Sequence, residues 1–190
     1  MKLVSIDRLK NGMPFYGQFD SVSNLSGVGV MAGSIHDPPA KRGTAHLAEH
    51  TKCRFSDKYS GQQVDLILEE FMGGPDSDDI NIRIDRSSTF FGHGSLLYPN
   101  HMYKSLDMLV SLFKDGIIDA EGLDVEKAAI HQEYFVYGRD IAYNQVDDLM
   151  YKLLFPDSPV GNRMDCEPEE LQTITLSQLR SLINKWYAPA

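Results

Sequence analysis

Hydrophobic and polar positions alternate with different periods along the chain, and each change of period marks an element. Asn11-Gly12 predicts a hairpin turn between a first short strand and a second over Phe15 to Phe19, and Gly27 to Ser34, rich in Val and Gly, predicts a buried strand. Asp37-Pro38-Pro39-Ala40-Lys41-Arg42-Gly43 predicts a loop, because two prolines remove donors and fix the backbone; Gly33 and Gly43 suit close approaches at either end. Ser60 to Met72 carries Val64, Ile67, Leu68 and Phe71 at helical spacing and runs into Gly73-Gly74, a helix stop. Ile80, Ile82 and Ile84 then alternate with Asn81, Arg83 and Asp85, the period of two of a half-buried strand, and Ser88 to Phe91 predicts its antiparallel neighbour. Asp76-Ser77-Asp78-Asp79, just before, reads as a solvated loop.

Beyond this point the period is helical. Asn100 is the predicted cap of a helix from His101 to Lys114, with Leu106, Leu109, Val110 and Phe113 inward and Gly116 past its end. From Leu123 through Ile130, Tyr134, Tyr137 and Ile141 the apolar residues keep one helical face, and Glu126 and Glu133, seven apart, fall on much the same face. An unpaired buried carboxylate is costly, so these acids need a cation, a proton or a metal. A metal satisfies that need; a wet face, or pairing with Lys127 and Arg139, would satisfy it equally. Asn144 to Phe155 predicts a further helix through Val146, Leu149, Met150, Leu153 and Leu154, broken by Pro156 and Pro159. Thr175 with Gln178 forms the capping box of a last amphipathic helix through Leu179, Leu182, Ile183 and Trp186.

Composition narrows the partners. At 190 residues, with 42% hydrophobic and 24% charged positions, the chain reads as one globular domain able to bury a core. A formal charge of -9 without clustered Lys and Arg argues against nucleic acid or an anionic membrane surface and favours a peptide or a basic segment. Cys53 and Cys166 lie far apart without paired spacing, which suits reduced thiols. Met1 to Arg8 is charged on both sides of a very short apolar run, and no run reaches the length of a membrane span, so the expectation is a soluble cytoplasmic protein.

The chemistry concentrates in Gly43-Thr44-Ala45-His46-Leu47-Ala48-Glu49-His50. On a helix, His46 and His50 stand one turn apart and Glu49 projects beside them. Two imidazoles so placed can close on zinc, and the carboxylate between them can act on a water in an open position. The order His-x-x-Glu-His is the inverted zincin motif. Histidines on a helix face also occur for packing alone, and the second acidic helix is what favours the metal reading. His36, His93, His101 and His131 lack ligand-like spacing and read as surface or packing residues.

Taken with the Glu126 helix, the motif resembles that of the insulinase and pitrilysin family of zinc metallopeptidases, which includes the mitochondrial processing peptidases. Ala32-Gly33-Ser34, Pro38-Pro39, Gly43-x-Ala45-His46-x-x-Glu49-His50, Gly73-Gly74, Asn81, Thr89 and Glu126-Lys127 followed by Glu133 all fall in the family's order. The resemblance implies an α+β fold, an antiparallel sheet covered by helices, as a single half-unit of the N-terminal catalytic type over 1–190. It implies zinc held by His46, His50 and Glu133, with Glu49 as general base and Glu126 as a supporting acid. It implies a peptide added as a strand along Asn81, Ile82, Arg83 and Ile84, and endopeptidase chemistry with zinc as the Lewis acid.

The departures bear on substrate and partner. After His50 the family continues with an apolar, glycine-containing stretch where this chain has Thr51-Lys52-Cys53-Arg54, and Pro75 to Asp79 reads as an insertion. Family members pair such a unit with a second one that closes a chamber. The expectation is therefore a homo-oligomer or a second half-unit chain, with the sequence read as a fragment, as one half of a two-chain assembly or as a short member. A rival class is a catalytically silent zinc- and peptide-binding subunit, against which an intact Glu49 argues.

Overall fold

A computed structural model describes residues 5–10, 12–17, 24–72, 80–95, 99–116, 118–138, 142–164 and 166–187. The first hairpin forms as its pattern predicts: β1 (Ser5–Arg8) pairs antiparallel with β2 (Pro14–Gly17), Ile6 opposite Tyr16, and Gly12 takes the left-handed backbone of the turn at φ 86°. A separate three-stranded antiparallel sheet has the order β3-β5-β4, from β3 (Asn24–Val30), β4 (Ile80–Ile84) and β5 (Thr89–Ser95). Val30 faces Thr89, and Ile82 faces Phe91.

The strand expected over Gly27 to Ser34 is displaced and only partly buried. It ends at Val30, Gly27 and Gly29 are exposed, and Ser34–His36 turn into a short 3-10 helix. The reason is a competing set of partners: Ser34 N and Ile35 N donate to the carbonyls of Asp85 and Arg86 in the β4–β5 turn, at 3.2 and 2.9 Å. Gly33 permits that approach, since a Cβ there would collide with the Asp85 carbonyl.

Helices cover the sheet. They are α1 (Thr44–Lys52), α2 (Gly61–Met72), α3 (Pro99–Asp115), α4 (Ala120–Glu133), α5 (Ala142–Leu154), α6 (Pro168–Gln172) and α7 (Leu176–Trp186). α3 packs on β3 and β5, and α1 lies among α4, α7 and β4. The main core joins Val30 and Phe91 of the sheet to Ala45, Leu47 and Ala48 of α1, Ile130 of α4 and Leu179 of α7. Each large side chain so buried stabilises the fold by about 2 kcal/mol. Phe91, Phe113 and Tyr187 stack within it, Phe91 edge-on to Phe113 at 4.7 Å between ring centres.

Three expectations about helices change. α3 begins at Pro99, which suits a first turn because its missing N–H costs nothing there, so Asn100 lies inside the helix rather than capping it. Its buried face is Ser105, Met108, Leu109 and Leu112, and Val110 is exposed. α4 does not run on regularly to Ile141: after Glu133 it widens into a π-helical turn, Tyr134–Gly138. Along α5 the apolar residues Val146, Leu149, Met150, Leu153 and Leu154 face solvent, while Asp147 and Asp148 turn inward to Arg86. Charge satisfaction sets that orientation: the Arg86 guanidinium, nearly buried, also lies 3.9 Å from the Tyr151 ring and donates to the carbonyls of Val160 and Asn162.

The capping box of α7 is present, Gln178 N donating to Thr175 Oγ1 at 3.3 Å and Thr175 N to Gln178 Oε1 at 2.9 Å. His36 packs against Trp186 with ring centres 4.2 Å apart, and His131 against Phe135 at 4.9 Å, as packing residues do. Cys53 and Cys166 are both thiols outside any disulfide. No helix among the described residues is long and apolar enough to cross a membrane. Gly73-Gly74, Pro75 to Asp79 and Arg139, and the side chains of Asn81, His93 and His101, lie outside the described residues.

Candidate metal centre

The site is built on α1, and α1 begins where it does because of a buried acid. Asp37 Oδ2 accepts from Gly43 N at 2.8 Å and Oδ1 from Ala45 N at 2.6 Å, satisfying two of the first-turn donors of the helix. Burial pushes the Asp37 carboxyl up to about 6 even though those two amides pull it down. Gly43 holds φ 85°, the left-handed region, against Cys166 Sγ. The loop before α1 is fixed on its other side by Arg42, whose Nη2 lies 2.7 Å from Glu170 Oε2.

From this start His46, Glu49 and His50 emerge on one face, with one ligand atom from each lying within 4.8 Å of the others. α4 brings Glu133 to the same point from a separate part of the chain. Glu133 Oε2 is 3.4 Å from His46 Nε2, and its Oε1 is 3.4 Å from His50 Nε2. Glu49 Oε2 stands 3.6 Å from His46 Nε2 and 3.8 Å from His50 Nε2. Ligand atoms at the corners of a tetrahedron around zinc, with bonds near 2.0 to 2.1 Å, are about 3.4 Å apart. The separations of Glu133 from the two imidazoles match that spacing, and the three side chains fit the ion once the ring nitrogens facing it have lost their protons. A further observation points the same way: Glu49 Oε2 is buried without a hydrogen-bond partner among the described residues.

Electrostatics divides the three acids. Burial pushes Glu49 above the usual carboxylate range, with His46 and His50 pulling it back. Hydrogen bonds from His46 and His50 hold Glu133 far below that range. Glu126 is penalised by burial, but His50 and Arg54 outweigh this and keep it low. His50 Nδ1 lies 3.1 Å from Glu126 Oε2, and Arg54 Nε donates to Glu126 Oε1. Burial depresses His50, yet Glu126, Glu133 and Glu49 overcome that and raise it to about 10.

All five residues expected at the site on the two helices therefore meet, although only Glu126 of the α4 acids is a core residue; Glu133 is at the rim, its side chain 43% exposed. Pairing of these acids with Lys127 does not occur, because Lys127 Nζ donates to the Gln172 carbonyl at 3.1 Å. Arg54 and Asp37 were missed as contributors; a cation within one turn of the motif is the signal that could have found Arg54. The stretch Asn81 to Ile84 lies in β4, at an edge of the three-stranded sheet and next to α1. Ile82 and Ile84 are half-buried, and Arg83 is exposed with Nη2 3.2 Å from Asp85.

A family model described as insulinase, peptidase family M16, matches residues 19–167. The chain belongs to that family. It is 24% identical over 183 residues to the mitochondrial-processing peptidase subunit beta of Saccharomyces cerevisiae, covering 95% of this chain and 38% of that one. It is 24% identical over 165 residues to the zinc protease YmxG of Bacillus subtilis, covering 86% of this chain and 38% of the relative. Its fold matches the periplasmic protease PqqL of Escherichia coli with a TM-score of 0.83 at 18% identity, over 97% of this chain and 21% of that one. The crystal structure of the first half of the same protease matches with a TM-score of 0.81 at 18% identity, covering 97% of this chain and 40% of that half. The chain thus has the α+β fold of insulinase-family half-units and spans about two fifths of the length of these two curated relatives.

Proposed function

We propose that the chain is the catalytic unit of a zinc-dependent endopeptidase, with His46, His50 and Glu133 as metal ligands and Glu49 as general base. The observation that carries this reading is the convergence of Glu133 from α4 on both histidines at 3.4 Å, beside a buried Glu49 oxygen that has no partner among the described residues. Zinc in such a site supplies Lewis acidity toward a water and toward the carbonyl of a peptide bond. The chain's own residues supply the rest. Glu49, raised by burial, accepts a proton at Oε2 from the attacking water and returns it to the leaving amine. Glu126 holds His50 by Nδ1, which leaves Nε2 for the metal. The edge strand Asn81, Ile82, Arg83, Ile84 offers backbone donors and acceptors to an extended peptide, and its position next to α1 brings that peptide to the site.

Turnover is expected to need a second unit. The relatives are longer, one of them is itself a subunit, and an enclosure strengthens every electrostatic contact in a site that is otherwise half open at Glu133. The deciding experiment compares zinc-loaded parent and Glu49→Gln proteins on a panel of unstructured peptides, alone and with a chelator. Cleavage should be abolished by the chelator and reduced about a hundredfold to ten-thousandfold in Glu49→Gln, while zinc content stays unchanged. Equal cleavage by both proteins would overturn the assignment of Glu49. Zinc binding without cleavage in the parent, under any assembly, would instead identify a silent zinc- and peptide-binding subunit.

A further inference from the structure

Immediately after the histidine pair the chain carries Thr51-Lys52-Cys53-Arg54 in place of the apolar, glycine-containing stretch that the family resemblance leads one to expect. Three of these four are accounted for by the fold: Thr51 is buried, with its Oγ1 donating to the Ala48 carbonyl at 3.3 Å. Lys52 is buried and its Nζ donates to the Phe113 carbonyl at 3.0 Å; Cys53 caps α1, its N–H donating to the His50 carbonyl. Arg54 is different. Its Nε donates to Glu126 Oε1, its side chain is 48% exposed, and neither Nη1 nor Nη2 donates to any of the described residues. The fork of the guanidinium is therefore held in one orientation by an acid that is itself buried, with two nitrogens left over on the solvent side.

Distance and charge give those nitrogens a role. The other oxygen of Glu126 is 3.1 Å from His50 Nδ1, so Arg54 stands two hydrogen bonds from the candidate metal ligand. An extended peptide advances roughly 3.3 Å per residue, so the span of those two hydrogen bonds and the groups between them corresponds to about three or four residues along a bound peptide. The surroundings are otherwise acidic, with Glu49, Glu126 and Glu133, and the neighbouring described cations are committed: Lys52 to Phe113, and Lys58 to Asp107. A planar fork with a free edge, fixed by a buried carboxylate, matches a second carboxylate bidentately and loses little freedom on binding it.

We propose that Arg54 is a specificity-determining residue that receives a carboxylate of the bound peptide, and so favours peptides with an acidic group close to the scissile bond. This rests on the peptidase reading above. The overall charge of -9 does not oppose it, because screening beyond roughly 8 to 10 Å leaves the choice to groups in contact. The carboxylate can come from an Asp or Glu side chain or from a free C-terminus.

The test measures binding without turnover, using the full chain as the zinc-loaded Glu49→Gln protein and fluorescently labelled short peptides of one apolar sequence. One arm carries a single Glu moved along a Gln background with an amidated end, and the other carries Gln throughout with a free C-terminal acid. Anisotropy titrations should show at least one acidic peptide bound about five- to tenfold more tightly than the all-Gln amide, a preference that fades with added salt. The arm that shows the preference identifies the source of the carboxylate. Arg54→Gln should abolish the preference, and Arg54→Lys, which keeps the charge without the fork, should retain part of it. Because Arg54→Gln leaves Glu126 without its cation, Arg54→Gln/Glu126→Gln is the companion variant and should abolish the preference as well. Equal affinity for all peptides in the protein that retains Arg54, or an undiminished preference in either variant that lacks it, would overturn the proposal. Loss of zinc binding or of cleavage in the parent would count against the peptidase reading instead, and leaves the affinity ratio readable on the metal-free chain.

Discussion

His50 Nδ1 lies 3.1 Å from Glu126 Oε2, and that contact decides which ring nitrogen remains for a metal. A carboxylate at Nδ1 keeps the proton there and presents the lone pair of Nε2 toward Glu133 and His46. Replacing Glu126 by Gln leaves an amide that can still accept from Nδ1 but no longer compensates Arg54 or makes the ring more basic. Zinc affinity should fall about ten- to a hundredfold in Glu126→Gln without being lost, as measured by competition with a chromophoric chelator. An unchanged affinity would show that Glu126 serves packing alone.

Glu133→Gln should act more severely than Glu126→Gln. Glu133 faces both histidine nitrogens at 3.4 Å and is held ionised by them, so the substitution removes the negative charge assigned to the coordination shell, with Glu49 left as the nearest other carboxylate. Metal content by mass spectrometry, after dialysis against micromolar free zinc, should drop from one ion per chain to well below that. If Glu133→Gln retains a full ion and Glu126→Gln does not, the two acids exchange roles.

The pH dependence has a definite sign. His50 in the metal-free chain is raised from its ordinary 6.5 to about 10, so its contribution to stability is fully present below about 6.5 and is lost as pH rises through about 10. Zinc requires the Nε2 lone pair and must displace that proton, so apparent zinc affinity should climb as pH rises across the neutral range, by up to tenfold per unit. Glu133, held low, stays ionised over that range and adds no slope. Calorimetric titration in buffers of different ionisation enthalpy should count the proton released by His50, and a release of none at neutral pH would contradict the arrangement.

How much of this was legible in the sequence follows from how local each interaction is. His46, Glu49 and His50 were readable because three positions on one turn fix their own geometry, and Glu133 because a helical period continued from Leu123 to Ile130 carries it to the same side as Glu126. The hairpin at Ile80 to Phe91 was readable for the same reason, a period of two on each side of a short turn. What escaped were choices made through space. Asp37 reaching to Ala45, Arg54 reaching across to Glu126, and Arg86 drawing Asp147 and Asp148 inward depend on elements that no local pattern relates. Val110 was misplaced because period alone gives the width of an apolar face and leaves open which side of it meets the sheet. The stripe on α5 was correctly helical, yet it faces solvent once its acids are spoken for.

Gly43 should prove the most sensitive backbone position near the site. It precedes α1 at φ 85°, where an L side chain is strained by roughly 1 to 2 kcal/mol, and a Cβ there would also collide with Cys166 Sγ. Cys166 is buried and packed, so the sulfur cannot simply step aside. The amide of Gly43 is moreover one of the two that Asp37 holds, so displacing it loosens the start of the helix that carries both histidines. Gly43→Ala should therefore destabilise the metal-free chain by about 2 to 4 kcal/mol in denaturant unfolding and weaken zinc binding in the same protein. Gly29 provides the contrast, because a Cβ there meets nothing within 4 Å and its backbone is ordinary strand. Gly29→Ala should be neutral or stabilising by up to about 1 kcal/mol, chiefly by restricting the unfolded chain. Equal effects of the two substitutions would mean that the left-handed backbone and the sulfur contact at Gly43 carry no weight in positioning α1.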